Sequence, residues 1–257
     1  ELGLDKPIIW QYAVWLGNIV KGNWQESLLD RKDVLGKIKD RLPPTLKVGL
    51  ASYIFASVIG IPFGVLSAVK RGSFWDYIAR GFALFGQALP VFWLGIMLIL
   101  IFSVQLRWLP TGTLGEGFFS WKHYVMPTVT LGWIASATYL RLTRSSMLEV
   151  LDSEYVKLAR AKGVSNNGVI WKHAFRNALI APLTFSSLLL TGFITGAVVT
   201  ETIFSIPGLG RLAFEAINNN DFPIMVGTVL VFTGMYVAFN FVTDLLYAYI
   251  DPRIRYA

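Results

Sequence analysis

Apolar residues in this chain gather into five long runs separated by charged stretches: Leu46 to Val69, Gly81 to Leu106, Tyr124 to Leu140, Ala178 to Thr200 and Ile224 to Ile250. The hydrocarbon core of a bilayer takes about 20 apolar residues of helix, so each run predicts a spanning helix. Pro62, Pro90, Pro127 and Pro182 interrupt the first four runs. Proline breaks helices in water but is tolerated in packed membrane helices, where neighbours satisfy the freed carbonyls. Gly60 with Gly64, and Gly192 with Gly196, have the spacing that lets helix backbones approach closely, and packing is the preferred reading of both pairs.

Composition strengthens the membrane reading. Of the 257 residues, 54% are hydrophobic and only 15% charged, and nine Trp, ten Tyr and eighteen Phe suit the boundary between hydrocarbon and headgroups. Cysteine is absent, which excludes disulfides and thiol-based metal or redox sites. Two histidines, His123 and His173, leave little for a histidine metal site, and His173 reads as a surface or packing residue.

The net charge of +7 raises the question of nucleic acid, which the positions of the charges answer. Lys70, Arg71 and Arg80 lie between the first two runs; Arg141, Arg144, Lys157, Arg160, Lys162, Lys172 and Arg176 between the third and fourth; Arg253 and Arg255 in the tail. The alternate loops hold only Arg107, Lys122 and Arg211. Cytoplasmic loops are the basic ones, so the first set, with the C-terminus, is expected inside. Less the acids in the same windows, these loops carry the whole excess charge, and no basic patch remains for nucleic acid. Five spans with an internal C-terminus require residues 1–44 to lie outside, so a further span is expected upstream of Glu1. Residues 1–44 are then an external linker, 45–250 the membrane domain with an inner loop at 141–177, and 251–257 an inner tail.

The inner loop reads as two short amphipathic helices around a turn at Gly163 to Gly168. Val156, Ala159 and Gly163 recur at helical spacing on one face, and Tyr155, Leu158 and Lys162 on its neighbour, so the element can pack on a partner. Gly163 permits a left-handed turn, and Asn166 or Asn167 is the expected cap of the second helix.

These residues, EYVKLARAKG from Glu154 to Gly163 followed by VSNNGVIWKHAFRNALIAP, resemble the EAA loop of ABC importer permeases, specifically the dipeptide and oligopeptide (peptide/nickel) permease family. Where many sugar permeases close the motif with Leu-Pro, this chain has Phe175, Arg176 and Asn177, as the peptide branch does. ETIFSIPGLGRLAFEAINNNDFP from Glu201 is similar to the family's external loop, DPRIRY from Asp251 to its tail, and LGLDKPI with RLPPTL to the linker after its first helix. The resemblance implies an all-α, polytopic bundle of the type I importer kind. It implies ATPase coupling through Glu154, Tyr155, Leu158, Ala159, Ala161, Lys162 and Gly163, and an external element near the substrate entrance shaped by Glu201, Pro207, Gly208 and Gly210. Implied partners are two nucleotide-binding subunits carrying the ATP and Mg, a related second permease chain, an external binding protein and membrane lipid. No cofactor is implied on this chain itself. Family members import dipeptides, longer peptides, nickel chelates, glutathione or oligosaccharides.

No GxxxxGK[ST] loop occurs, so this chain is expected to be a transport subunit and not an enzyme. An intramembrane hydrolase is the rival from another class, but HExxH and GxSxG are both missing. A proton-coupled secondary transporter would place paired ionisable groups at mid-membrane, and none occur. Intramembrane polar residues mark a pathway or an interhelical bond, which makes Gln87 and Asn240 candidates for a translocation path, together with Pro90, three residues after Gln87, where a loosened helix could line it. Asp244 reads as interfacial, and Thr128, Thr130, Ser186 and Ser187 either face a pore or bond to their own helices.

Overall fold

A computed structural model describes residues 6–113, 121–195 and 197–250. Helix α1 (Ile8–Val20) follows Pro7 and buries none of its residues. A turn closed by the isolated bridge between Glu26 and Asp33 then leads into α2 (Val34–Val69). Asp33 starts α2 by accepting a 2.6 Å hydrogen bond from the Gly36 N–H, a side-chain cap for one of the unpaired amides of the first turn. The helix therefore begins well before the apolar run at Leu46 and carries Pro43, Pro44 and Pro62 within it. At about 1.5 Å per residue it is about 54 Å long, enough to cross a bilayer and project beyond it.

The second predicted span is not one helix. α3 (Phe74–Ala88) and α4 (Val91–Leu98, continued by a π-helical stretch Ile99–Gln105) meet at 105°. Leu89 between them is extended, with φ −87° and ψ 129°. The ring of Pro90 disfavours the α conformation in the residue before it, and here, unlike at Pro43, Pro44 and Pro62 of α2, that residue is extended and the chain turns.

α5 (Trp121–Leu151) contains the third run and extends past it into the basic loop. The fourth run divides into α9 (Ile180–Thr195) and α10 (Val198–Ile203), and Pro182 occupies the first turn of α9, where a missing N–H breaks no helical bond. Between α5 and α9 lie α6 (Glu154–Ala161), α7 (Asn166–Gly168), a second π-helical stretch (Val169–Phe175) and α8 (Arg176–Ala178). α11 (Leu209–Asn218) precedes α12 (Phe222–Ile250). Among the described residues, α2 and α12 each have the length and apolarity to cross a membrane alone, and the bent α3–α4 pair does so if it counts as one span. The tail 251–257 and Gly196 lie outside the described residues.

Lipid gives apolar helices no solvent-driven reason to associate, so close packing must hold them. A Cβ on Gly60 would lie 2.5 Å from the Ser136 carbonyl oxygen, and one on Gly64 2.6 Å from the Cβ of Thr143. This glycine pair sits at a close contact between α2 and α5, as the packing reading requires. Gly192 has nothing within 4 Å. The buried Tyr139 of α5 donates a 2.7 Å hydrogen bond to Ser186 of α9, and Ser186 in turn bonds back to Pro182 O.

Two clusters fix the ends of the bundle. Val34 and Ile38, at the start of α2, pack with Leu209, Leu212, Ala216 and Ile224. Val65 and Ala68, at its far end, pack with Met147, Ala174 and Ala178. The α11 region and the α6–α8 region therefore sit at opposite ends of the long helix.

Candidate functional site

α5 stops at Leu151 because Ser153 adopts extended geometry and starts α6. In α6, Val156 is fully buried and Ala159 nearly so, whereas Tyr155 and Leu158 are 45% and 56% exposed. The two predicted stripes thus separate: one holds α6 to the bundle, the other is open. Glu154, Ala161, Lys162 and Gly163 are exposed as well, and Glu154 pairs with Lys157 at 2.8 Å on the surface. Such exposed pairs add at most about 1 kcal/mol.

Gly163 has φ +80°, and a Cβ there would meet nothing within 4 Å. The demand for glycine is conformational: the left-handed residue lets Gly163 N–H reach Arg160 O and Val164 N–H reach Ala159 O, closing the helix end. The second helix starts sooner than expected, and its cap is Ser165, whose Oγ accepts from the Gly168 N–H, rather than either asparagine.

Beside this segment lies a polar knot that the sequence does not announce. Asp76, in the first turn of α3 and 1% exposed, accepts hydrogen bonds from Ser67 Oγ (2.6 Å), Gly72 N–H (3.0 Å) and both Nε (2.9 Å) and Nη2 (3.2 Å) of Arg144. The Arg144 guanidinium holds this carboxyl well below the usual carboxylate range. One side chain thus ties α2, α3 and α5 together next to the inner loop. A cleft of about 600 Å³ opens nearby between α5 and α9, lined by Ser146, Glu149, Asn177, Thr184 and Phe185 among others.

At the other end, Glu201 is fully buried in α10. Its Oε1 accepts from Thr45 Oγ1 at 2.6 Å and its Oε2 from the Arg211 N–H at 2.9 Å, while Thr45 accepts the Leu209 N–H at 2.7 Å. A Cβ on Gly208 would fall within 2.4 Å of the Glu201 carboxyl, and one on Gly210 within 2.8 Å of the Val198 Cα. Gly208 and Gly210 therefore lie directly against this carboxyl, with Pro207 just ahead of them in the chain. Burial pushes the Glu201 carboxyl up. A similar device joins Asp221, also fully buried, to the hydroxyl of Ser27 and, at 3.2 Å, the Leu28 N–H.

The path candidates do not converge. Gln87 accepts a 3.0 Å hydrogen bond from Arg141 Nη1, Pro90 forms the break between α3 and α4, and Asn240 is half-buried in α12. α3 packs on α5 and α2, whereas α12 packs on α9, α11 and α2. The side chains of Ser187 and Asp244 lie outside the described residues. Among the described residues no three His, Asp or Glu side chains gather in a metal-binding group.

A family profile, the binding-protein-dependent transport system inner membrane component, matches residues 60–256. The di/tripeptide transport system permease protein DppB of Pseudomonas aeruginosa is 40% identical over 100% of this chain and 83% of its own length. The glutathione transport system permease protein GsiC of Escherichia coli is 39% identical over 100% of this chain and 82% of its own. Among solved structures, the MetNI methionine ABC transporter in an inward facing conformation superposes with TM-score 0.68 at 18% identity, covering 83% of this chain and 96% of that one. An amino acid ABC transporter superposes with TM-score 0.62 at 14% identity, covering 90% and 96%. The fold is that of a type I ABC importer permease, and the chain belongs to the family of binding-protein-dependent transport system inner membrane components.

Proposed function

We propose that this chain is one half of the translocation path of an ATP-driven importer for short peptides, and that α6 is the element through which ATP hydrolysis on separate subunits drives it. The observation that carries this reading is the division of α6 into a buried Val156–Ala159 edge and an exposed Tyr155–Leu158 edge, at the end of α2 opposite to α11. A helix held on one side and open on the other suits a mechanical link. α5 runs directly into it, and Arg144 and Asp76 bind α5 to α2 and α3, so displacement of α6 passes to three membrane helices as one body.

The basic loops put α6, the C-terminus and the tail 251–257 in the cytoplasm, with ATP and Mg on two nucleotide-binding subunits. The Glu201, Pro207, Gly208 and Gly210 element then faces outward, toward the binding protein that delivers substrate. Glu154, Ala161 and Lys162 flank the contact edge, and Gly163 sets its exit angle. The path is shared with a second, related permease, with Gln87, Pro90 and Asn240 on the helices that rearrange. Peptides are the substrate class suggested by the names of the relatives; the glutathione permease fits the same chemistry, since glutathione is itself a small peptide.

Leu158→Asp in the complete transporter, reconstituted in liposomes, tests the reading. It should abolish ATP-driven peptide uptake while the permease still inserts and assembles with its second permease. Wild-type uptake in that variant would overturn the assignment of α6.

A further inference from the structure

α1 leaves most of its apolar surface uncovered. Gln11, Trp15, Gly17, Asn18 and Ile19 are half-buried, whereas Ile9, Tyr12, Leu16 and Val20 make a continuous exposed stripe, with Ile9 84% and Val20 81% exposed. Thirteen residues without one charge, bracketed by Lys6 and Lys21, present that stripe. At about 1.5 Å per residue the helix is about 20 Å long, too short to cross hydrocarbon.

Its position is set by the chain around it. Trp15 and Ile19 border a small cavity of about 110 Å³ shared with Trp24, Phe222, Pro223 and Val226, so α1 lies against the first turns of α12. Ser27, a few residues on, is hydrogen-bonded to the buried Asp221 just ahead of α12. α12 itself shows apolar side chains outward from its start, with Phe222, Val226 and Val229 all exposed. The stripe of α1 therefore continues the apolar surface of a spanning helix at the level where that helix begins. Lys6 stacks over Trp10 at 3.6 Å, and Tyr12 lies 5.8 Å from Trp15, a grouping of amphipathic rings and a cation of the kind that collects where headgroups meet acyl chains.

We infer that α1 is an interfacial helix: it lies in the membrane plane at the α11 end of the bundle, with Ile9, Tyr12, Leu16 and Val20 in lipid. A helix of this kind sinks its apolar face about 5–10 Å into the headgroup and acyl boundary. The inference goes beyond the transport reading and does not depend on which substrate is carried or on how α6 is engaged.

These 257 residues hold no cysteine, so one introduced cysteine marks a single position among them, with any cysteine elsewhere in the transporter replaced beforehand. Tyr12→Cys, Leu16→Cys and Asn18→Cys are each spin-labelled in the intact transporter in lipid nanodiscs, with Val229→Cys as the deep reference. Accessibility to oxygen is compared with accessibility to a water-soluble nickel chelate. Labels at positions 12 and 16 should favour oxygen several-fold, at a depth shallower than position 229, and the label at 18 should be shielded from both probes. Nickel access equal to or above oxygen access at 12 and 16 would show the stripe in water and overturn the inference. Shielding from both probes at those positions would show a protein cover, whether another subunit or another part of this chain, and would overturn it equally. None of these outcomes bears on uptake, so the failure of this inference and the failure of the transport reading are distinguishable.

Discussion

Thr45 and Glu201 stand 156 residues apart in the chain and meet across 2.6 Å, the hydroxyl donating to a fully buried carboxyl that also receives the Arg211 N–H. That contact fastens the start of the first long span to the α10–α11 loop. Glu201→Ala would leave the Arg211 amide without its acceptor, a loss of about 1–3 kcal/mol for a stranded group, and would leave the Thr45 hydroxyl only its longer contact to Arg41 O at 3.4 Å. Thermal unfolding of the detergent-solubilised transporter should show the drop, and Glu201→Gln, which keeps an acceptor oxygen, should lose less.

The same carboxyl carries a pH dependence. Burial raises its folded-state pKa above the unfolded value, so the proton is bound more tightly in the native protein. Its contribution to stability is full below the ordinary Glu range and declines as pH rises through the raised value. Stability measured against pH should lose that slope in Glu201→Gln; an unchanged slope would assign it to another group.

Asp76 behaves in the opposite sense. Its pKa is lowered by Arg144, so the knot stabilises the fold above the ordinary carboxylate range and weakens as pH falls toward the lowered value. Asp76→Ala leaves Arg144, still largely shielded, without its partner, and breaking such a pair costs about 3–5 kcal/mol when both charges are buried. The partial exposure of Arg144 places the expected loss at the lower end of that range. In a double-mutant cycle with Arg144→Ala the double variant should lose clearly less than the sum of the two single losses, because each single change already removes the pair.

Gly60→Val should fail by overpacking. The first side-chain carbon would sit 2.5 Å from both Ser136 O and Tyr139 Cβ, so α2 and α5 must part, at about 1–3 kcal/mol or more. Gly192→Val, with open space around it, should leave stability unchanged. Equal stability of the two variants would remove Gly60 from the helix contact.

Gly163→Val tests geometry alone. A β-branched residue held at φ +80° is strained by about 1–3 kcal/mol, yet no neighbour is struck. Insertion and assembly should survive while ATP-driven uptake falls, because the exit angle of α6 shifts. Uptake equal to wild type would show that the turn at 163 does not set the coupling geometry.

Much of this arrangement was legible in residue order because it depends on local rules. Runs of apolar residues, the glycine after α6, and the stripes Val156–Ala159 and Tyr155–Leu158 each follow from the period of a helix and the needs of one backbone position. The glycine pair at 60 and 64 was equally readable, since close approach requires small residues at that spacing. Boundaries were less so: Ser165 rather than an asparagine caps α7, because capping turns on backbone geometry that several neighbouring polar residues could satisfy.

The sequence by itself determined that this is a bundle of membrane helices with a basic loop at one face, since hydrophobicity and helical period are properties of the chain in order. Only the tertiary structure decided that Pro90 splits a span at 105°, that Asp76 answers to Arg144, that Thr45 and Asp221 each hold a distant segment, and that α1 turns its apolar stripe outward. The Asp76, Thr45 and Asp221 contacts are pairings between residues far apart, and a pairing has an energy only after packing has brought its partners within bonding distance and removed the solvent around them; the break at Pro90 and the face that α1 turns outward likewise depend on what packs beside them.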